Sequence, residues 1–318
     1  MAPRRVIGVD AGGTKLVGGV VDEQLVVHHR VHRTWRGEDR RETLDIMVDA
    51  VEDARSVAQD VEAVGFGLPA LVDFESGVSR WSTHLPLADV PFRDLMSERL
   101  GLPVLVDNDV NVALLAEHRE GAARGARHAV MVALGTGVGG ALLLDGRLYR
   151  GARGLGAELG HVVIELDGPE CQGECPGRGC LEVLASGAAI GRAGEEAARR
   201  QPESALGRSR GEGHEITGGL VTELAHGGDE LARSVLATVG RRLGAGLVGL
   251  VNTFNPEVVV IGGGPVAAGE LLLEPAREVV AERALPPVRE MARIVPAHFG
   301  EESGMVGAAL FALGRGDS

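Results

Sequence analysis

His161 and the cysteines Cys171, Cys175 and Cys180 are the residues whose types and spacing most directly imply chemistry. One imidazole and three thiolates make a closed tetrahedral donor set for Zn²⁺. The loop from Cys171 to Cys180 is rich in Gly and Pro, as a ligand-wrapping segment must be. The bland alternative is three reduced, buried thiols with no metal. The chain has 3 Cys, all in this loop, and its start, MAPRRVIGVD, carries no apolar stretch of the signal-peptide kind. An odd, clustered set in that context argues for a metal and against a disulfide framework. A structural zinc would hold His161 rigid and leave its second ring nitrogen free for a polar ligand. Glu158 and Glu182 flank the set. Two carboxylates and an imidazole around one loop suit a cluster of hydroxyls such as a sugar presents, although either Glu alone could be a solvated face.

A second candidate is Asp107-Asn108-Asp109, where a strand ends and a helix begins. Asn and Asp are favoured helix caps, so capping is one reading. The other is that Asp109 accepts the proton of an attacking hydroxyl, as phosphoryl transfer requires. Both hold together if different residues of the trio take them.

The third signal is a set of Gly-rich turns. Asp10-Ala11-Gly12-Gly13-Thr14-Lys15 and Gly135-Thr136-Gly137-Val138-Gly139-Gly140 each lie between apolar strands, and Gly262-Gly263-Gly264 follows another. Gly lets consecutive N–H groups converge on one spot, which is how a backbone nest takes phosphate oxygens, with Thr14 adding a hydroxyl and Lys15 a charge. A hairpin turn that simply needs Gly is the alternative for any one of them. The P-loop pattern GxxxxGK[ST] is absent from the sequence, and the loose GxGxxG at Gly135 leads into a strand, which argues against a dinucleotide fold.

The elements that must position these residues follow from periodicity. Strands are expected at Val6–Asp10, Leu16–Val21, Leu25–His32, Glu62–Leu68, Pro103–Val106, Ala129–Leu134, Ala141–Leu144 and Val258–Ile261. Helices are expected at Arg40–Ala58, Phe92–Leu100, from Asp109 to about Glu120, at Asp229–Thr253, Glu270–Glu282 and Gly304–Leu313. Gly194–Gly219 is polar without a period and reads as a loop. The strand–Gly turn–strand pattern occurs twice, about 125 residues apart, which suggests an internal duplication with one Gly turn per half.

At 318 residues the chain is long enough for two domains. Apolar residues make up 44% and aromatics 3%, so the interior must be built from Val, Leu, Ile and Ala. The formal net charge of -13 disfavours nucleic acid and anionic lipid as partners. The longest uncharged run, Ala129 to Leu144, is too short and too Gly-rich for a membrane helix.

On these motifs, with Asn111 and Glu117 downstream of Asp109, Gly179-Cys180-Leu181-Glu182, and Asn255-Pro256-Glu257 before the last Gly cluster, the sequence resembles the ROK family of sugar kinases, repressors and uncharacterised proteins. Within it the chain is most similar to the bacterial glucokinases of actinobacterial type. The resemblance implies an α/β, actin-like ATPase (ribonuclease H-like) fold, two α/β domains flanking a cleft. Residues 1–111 plus 303–318 would form the small domain and residues 112–302 the large one with the zinc loop.

The resemblance further implies ATP-dependent phosphorylation of glucose at O6. Asp109 would be the base, and Asn108, Glu158, His161 and Glu182 would join it in binding the sugar. Asp10 would help hold Mg²⁺. Gly12, Gly13, Thr14, Lys15, Gly135, Thr136 and Gly137 would cradle ATP phosphates, and Gly262, Gly263 and Gly264 would border the adenosine. His161, Cys171, Cys175 and Cys180 would bind structural Zn²⁺. The expected setting is cytoplasmic, as a homodimer or homotetramer.

Three departures from the family pattern stand out. The family's zinc loop usually has one residue between its first two Cys, whereas here Gln172 to Glu174 intervene. Ala70 follows Pro69 where many members have Gly, and His84 stands before Leu85-Pro86 where many have Asn. The alternatives are another hexose or an N-acylmannosamine as acceptor, polyphosphate as donor, or a sugar-sensing transcriptional regulator. Such regulators carry a DNA-binding region ahead of the kinase-like part, for which the position of Asp10 leaves no room.

Overall fold

The computed structural model describes residues 3–13, 15–35, 39–82 and 84–314. The chain divides into two compact units, Met1–Arg127 with Ala141–Ala157 and His298–Ser318, and His128–Gly140 with Glu158–Ala297. The expected division at residue 111 falls inside a helix. Residues beyond it stay with the first unit because that helix packs along the C-terminal one.

The first unit opens with β1 (Arg5–Ala11), β2 (Lys15–Asp22), β3 (Val27–Thr34), α1 (Arg40–Ser56), β4 (Val61–Leu68), β5 (Leu71–Asp73) and β6 (Val78–Trp81). It continues through α2 (Phe92–Leu100), β7 (Val104–Asn108) and α3 (Asp109–Glu120). Its sheet runs β3-β2-β1-β4-β7, with β1 antiparallel to β2 and parallel to β4, and β4 parallel to β7. The register pairs Asp10 with Gly67 and Gly67 with Asp107. One row across three parallel strands therefore brings Asp10, Asp107 and the residues after it to the carboxyl edge, where open α/β sheets place ligands.

The chain then forms β8 (Ala129–Leu134), β9 (Val138–Leu144) and β10 (Arg147–Leu148). Next come α4 (Leu181–Ala185), α5 (Gly187–Arg200), α6 (Ala205–Gly211), α7 (Gly218–His226), α8 (Glu230–Phe254) and β11 (Val258–Gly262). The remaining elements are α9 (Glu270–Arg283), α10 (Pro286–Arg289), β12 (Arg293–Pro296) and α11 (Ser303–Ala312). The second sheet runs β10-β9-β8-β11-β12, with β11 parallel to both β8 and β12. Ala133 pairs with Gly262, so the Gly turns after β8 and β11 emerge side by side. Strand β9 begins at Val138, which leaves a turn of residues 135–137, shorter than the sequence suggested.

The region expected to be a loop, Gly194–Gly219, is instead largely helical, spanning the end of α5, all of α6 and the start of α7. The buried face of α5 is made of small residues, Ala189, Gly191, Gly194 and Ala198 with one Ile190, so its two-faced pattern is carried by the charged residues opposite rather than by large apolar ones. Ser186, Ser204 and Thr217 each accept a backbone N–H at the start of these helices, the usual N-cap bond. Among the described residues α8 alone is long and apolar enough to cross a membrane. Its apolar face, from Ala232 to Val251, is buried where α8 meets α4, α5, α7 and α9, as in a core helix.

Helix α11 is tied to α3 by the Glu117 carboxylate. It accepts the N–H groups of Ala122, His298 and Phe299 and the hydroxyl of Ser303, at 2.9–3.0 Å. A buried carboxylate with four donors is fully satisfied, and removing it would orphan the three backbone N–H groups, whereas the Ser303 hydroxyl has Gly300 O at 3.0 Å to turn to.

Candidate active site and metal centre

In the first unit, Asn108 is the N-cap of α3. Its Oδ1 accepts Val110 N–H at 2.9 Å and Asn111 N–H at 3.2 Å, and its Nδ2 donates to Ala70 O at 3.4 Å. Asn108 is thus the main cap, and Asp109, the first residue of α3, shares the Val110 N–H through its own Oδ1 at 2.9 Å. Burial pushes the Asp109 carboxyl above the ordinary carboxylate range, against the opposing pull of Val110 N–H and the nearby His84. Asp10 is pushed up to about 8, first by burial and then by the negative charge of Asp109. Asp10, whose proton is held on by burial and by the neighbouring acid, is a natural hard oxygen ligand for a divalent cation, which would restore its charge. Asp10 also packs against the Cα of Gly304 in the first turn of α11, where any side chain would collide with its Oδ2.

Beneath this pair lies Asp107, fully buried. Its Oδ2 accepts Arg150 Nε at 2.7 Å, and its Oδ1 accepts Asn108 N–H at 2.7 Å and Asn111 Nδ2 at 2.9 Å. The Arg150 guanidinium is itself only 11% exposed and stacks 3.8 Å above the Phe74 ring. In the sequence Arg150 is one arginine among many, and its pairing with Asp107 is the principal feature that sequence reasoning missed.

The turn after β1 is held by Trp35, whose Nε1 donates to Gly12 O at 2.9 Å. Gly13 lies against the His84 side chain, which is placed by the Ser82 hydroxyl accepting the N–H groups of His84 and Leu85. Thr14 lies outside the described residues. Lys15 is exposed and pairs with Glu301 at 3.6 Å.

In the second unit, Gly135 N–H closes the turn on Gly137 O at 2.9 Å, and Gly187 N–H of α5 holds Gly135 O at 2.8 Å. Glu182, in the first turn of α4, accepts Val138 N–H at 2.9 Å. On the neighbouring turn Gly263 and Gly264 are exposed, while Gly262 is buried in β11. Glu158 lies at the head of the 3-10 turn Leu159–His161, and its backbone carbonyl accepts His161 N–H at 3.1 Å.

His161, Cys171, Cys175 and Cys180 converge, with one donor atom from each inside a group no wider than 4.8 Å. Ile164 and Glu165 donate to Gly179 O, and Leu181 donates to Val162 O. These bonds lay the segment after His161 beside the end of the cysteine loop. The nitrogen nearest Cys171 Sγ is Nδ1, at 3.7 Å, which leaves Nε2 for other partners. Donors around a tetrahedral zinc, with Zn–S of about 2.3 Å and Zn–N of about 2.0 Å, stand on the order of 3.5 Å apart, so the cluster fits the ion with little adjustment. Burial raises the Cys171 thiol, and burial with the neighbouring Cys175 and Glu182 raises that of Cys180. Cys171 and Cys180 thus resist ionising, and a bound zinc would favour the thiolates.

A sheet ending in paired carboxylates, Gly turns at strand ends and a braced metal loop define an α/β phosphotransfer architecture, and its fold is the actin-like ATPase fold of two α/β domains. The ROK family pattern matches residues 6–315, and the chain belongs to that family. It is 36% identical over 312 residues to a glucokinase of Thermotoga maritima, covering 97% of each chain. A glucokinase of Streptomyces coelicolor is 34% identical over 309 residues, covering 95% of this chain and 96% of the relative. The structure is similar to that of a ROK family glucokinase from Streptomyces griseus in complex with glucose and AMPPNP, with a TM-score of 0.88 at 35% identity, covering 98% of this chain and 99% of that one.

Proposed function

We propose that this protein is a sugar kinase that transfers the γ-phosphoryl group of ATP to O6 of glucose. The observation that carries the reading is the Asp109 carboxyl, held at the first residue of α3 directly after β7 with its basicity raised by burial. A carboxylate of raised basicity is suited to take a proton from an alcohol. The similarity to relatives named glucokinases, over nearly the whole chain, supports the choice of acceptor.

In the reaction, the Asp109 carboxylate accepts the O6 proton as O6 forms its bond to the γ-phosphorus and the bond to the bridging oxygen of ADP breaks. Little other covalent work falls to the protein, so positioning and charge carry the rate. Asp10 is the group suited to help hold Mg²⁺, which would supply charge neutralisation on the phosphate oxygens when bound. The turns at Gly12–Lys15 and Gly135–Gly137 take phosphate oxygens, and Gly262, Gly263 and Gly264 border the adenosine. Asn108, Glu158, His161 through Nε2, and Glu182 through the oxygen not given to Val138 bind the other sugar hydroxyls. Zn²⁺ on His161, Cys171, Cys175 and Cys180 has a structural role. The setting is cytoplasmic and the assembly a homodimer or homotetramer, which sedimentation at working concentration reads directly.

The decisive test is Asp109→Asn, which keeps shape and removes the base. Turnover of glucose should fall by about 10²–10⁴-fold, the usual weight of a general base. Activity within tenfold of wild type would end the assignment. An ADP-release panel over hexoses and N-acylmannosamine, with polyphosphate as a parallel donor, tests the substrates.

A further inference from the structure

We propose that the cysteine loop also holds the Gly135-Thr136-Gly137 turn in the shape that takes nucleotide phosphate, so that metal and nucleotide bind this protein cooperatively. The inference rests on the reading of that turn as a phosphate cradle.

Two residues join loop and turn directly. Gln172, next to the first cysteine, donates from Nε2 to Thr136 O at 3.3 Å. Glu182, two residues past the last cysteine, accepts Val138 N–H on Oε2 at 2.9 Å, while its Oε1 lies 3.7 Å from Cys171 Sγ. The same Oε2 occupies the space beside Gly137 that a side chain would need, so turn and carboxylate fix each other's position. Behind them, Arg192 of α5 donates to Gln172 Oε1 at 3.5 Å and to Val183 O at 2.6 Å. The turn itself spans only three residues between β8 and β9, so a few hydrogen bonds, rather than a packed side-chain core, set its shape.

Gln172 follows the backbone of the cysteine loop, and Glu182 stands in the first turn of α4 directly after it. That loop is short, Gly/Pro-rich and mostly half-exposed or exposed, so its donor set is what orders it, as in other small metal-folded segments. Metal binding therefore removes in advance part of the ordering cost of the turn, and a ligand on an already ordered segment binds more tightly. Thermodynamic linkage makes the effect reciprocal: nucleotide must tighten the metal by the same factor.

The experiment uses the full-length protein and calorimetric titration with AMPPNP, in the zinc-loaded form, after metal stripping, and for zinc-loaded Gln172→Ala. Gln172→Ala leaves all the metal donors in place. It should retain its zinc and bind AMPPNP about three- to tenfold more weakly, the worth of one neutral hydrogen bond, and the stripped protein should bind it more weakly still. In wild type, saturating AMPPNP should raise zinc affinity, measured by competition with a chelator, by the factor that zinc raises AMPPNP affinity. This last arm needs no variant. Zinc affinity that ignores AMPPNP, or unchanged AMPPNP affinity in Gln172→Ala, would overturn the coupling while leaving the kinase reading intact. A zinc-loaded wild type that does not bind AMPPNP at all would refute the phosphate-cradle reading, and the coupling with it.

Discussion

Arg150→Met isolates the buried ion pair under the candidate base. Methionine approximates the length of the arginine stem and removes the charge, so Asp107 keeps its bonds from Asn108 N–H and Asn111 Nδ2 but loses its cation. Breaking a buried pair from one side costs about 3–5 kcal/mol, because the remaining charge is left uncompensated. The stacking over Phe74 adds on the order of 1 kcal/mol. The two surviving donors to Asp107 pull the total back toward the low end, to about 3–4 kcal/mol. Against a typical stability of about 5–15 kcal/mol this is a large loss.

Removing both charges should behave differently. Asp107→Asn with Arg150→Met leaves no buried ion, and replacing a whole pair by uncharged groups is often close to neutral, within about 1 kcal/mol. The assay is denaturant unfolding of wild type, Arg150→Met and the double variant, followed by a probe in the first unit, with m-values compared to confirm that the same surface is exposed. The double variant should regain most of the stability. A loss below about 1 kcal/mol in Arg150→Met, or a double variant no more stable than the single, would refute the reasoning.

Other consequences can be checked as readily. If Asp109 is the base, it acts in its ionised form, and its carboxyl is held above the ordinary range, so kcat/KM should fall on acidification at a pH above the usual carboxylate region; a pH–rate profile flat down to about pH 4 would contradict this. Asp10 is raised from 3.8 to about 8, so the folded state holds its proton more tightly than the unfolded one. That contribution is complete below the unfolded value and is lost as pH rises toward about 8, so Mg²⁺ should raise the melting temperature more at pH 8 than at pH 5. Cys175→Ser removes one of the donors and should lower both zinc content and thermal stability, read by metal analysis and calorimetry. Gly304→Ala forces a methyl group into Asp10 Oδ2 and should cost about 1–3 kcal/mol, read by denaturant unfolding, together with a marked fall in turnover.

Much of the local structure is legible in the sequence. Phe92–Leu100 and Ala129–Leu134 match their expected bounds to the residue, because each is an apolar pattern closed by Gly on its C-terminal side. The stretch from Gly194 to Gly219 departs from expectation because α5 buries small Gly and Ala residues that resemble loop composition, and α6 and α7 are short helices separated by a Gly-containing turn. The metal donors are legible because ligation demands particular atoms and a flexible loop, and both show in one short segment. Arg150 is not, since its partner lies 43 residues away and a single arginine has no local signature.

By itself the sequence determined the repertoire of chemistry: a thiol–imidazole set, Gly turns at strand ends, and carboxylates at two strand ends. Those are local properties, set by residue type and near neighbours. Tertiary structure alone decided which acids share a site. The register of β1, β4 and β7 puts Asp10 and Asp107 in one row, and packing then gives Asp107 to Arg150, Glu117 to α11, and leaves Asp10 facing Asp109. The glycines Gly8 and Gly65 make the same point. In sequence they only weaken strands, whereas in the fold they are where α11 lies directly on the sheet, its backbone filling the room their missing side chains leave. Charge and burial depend on distances through space, and a linear order of residues does not contain them.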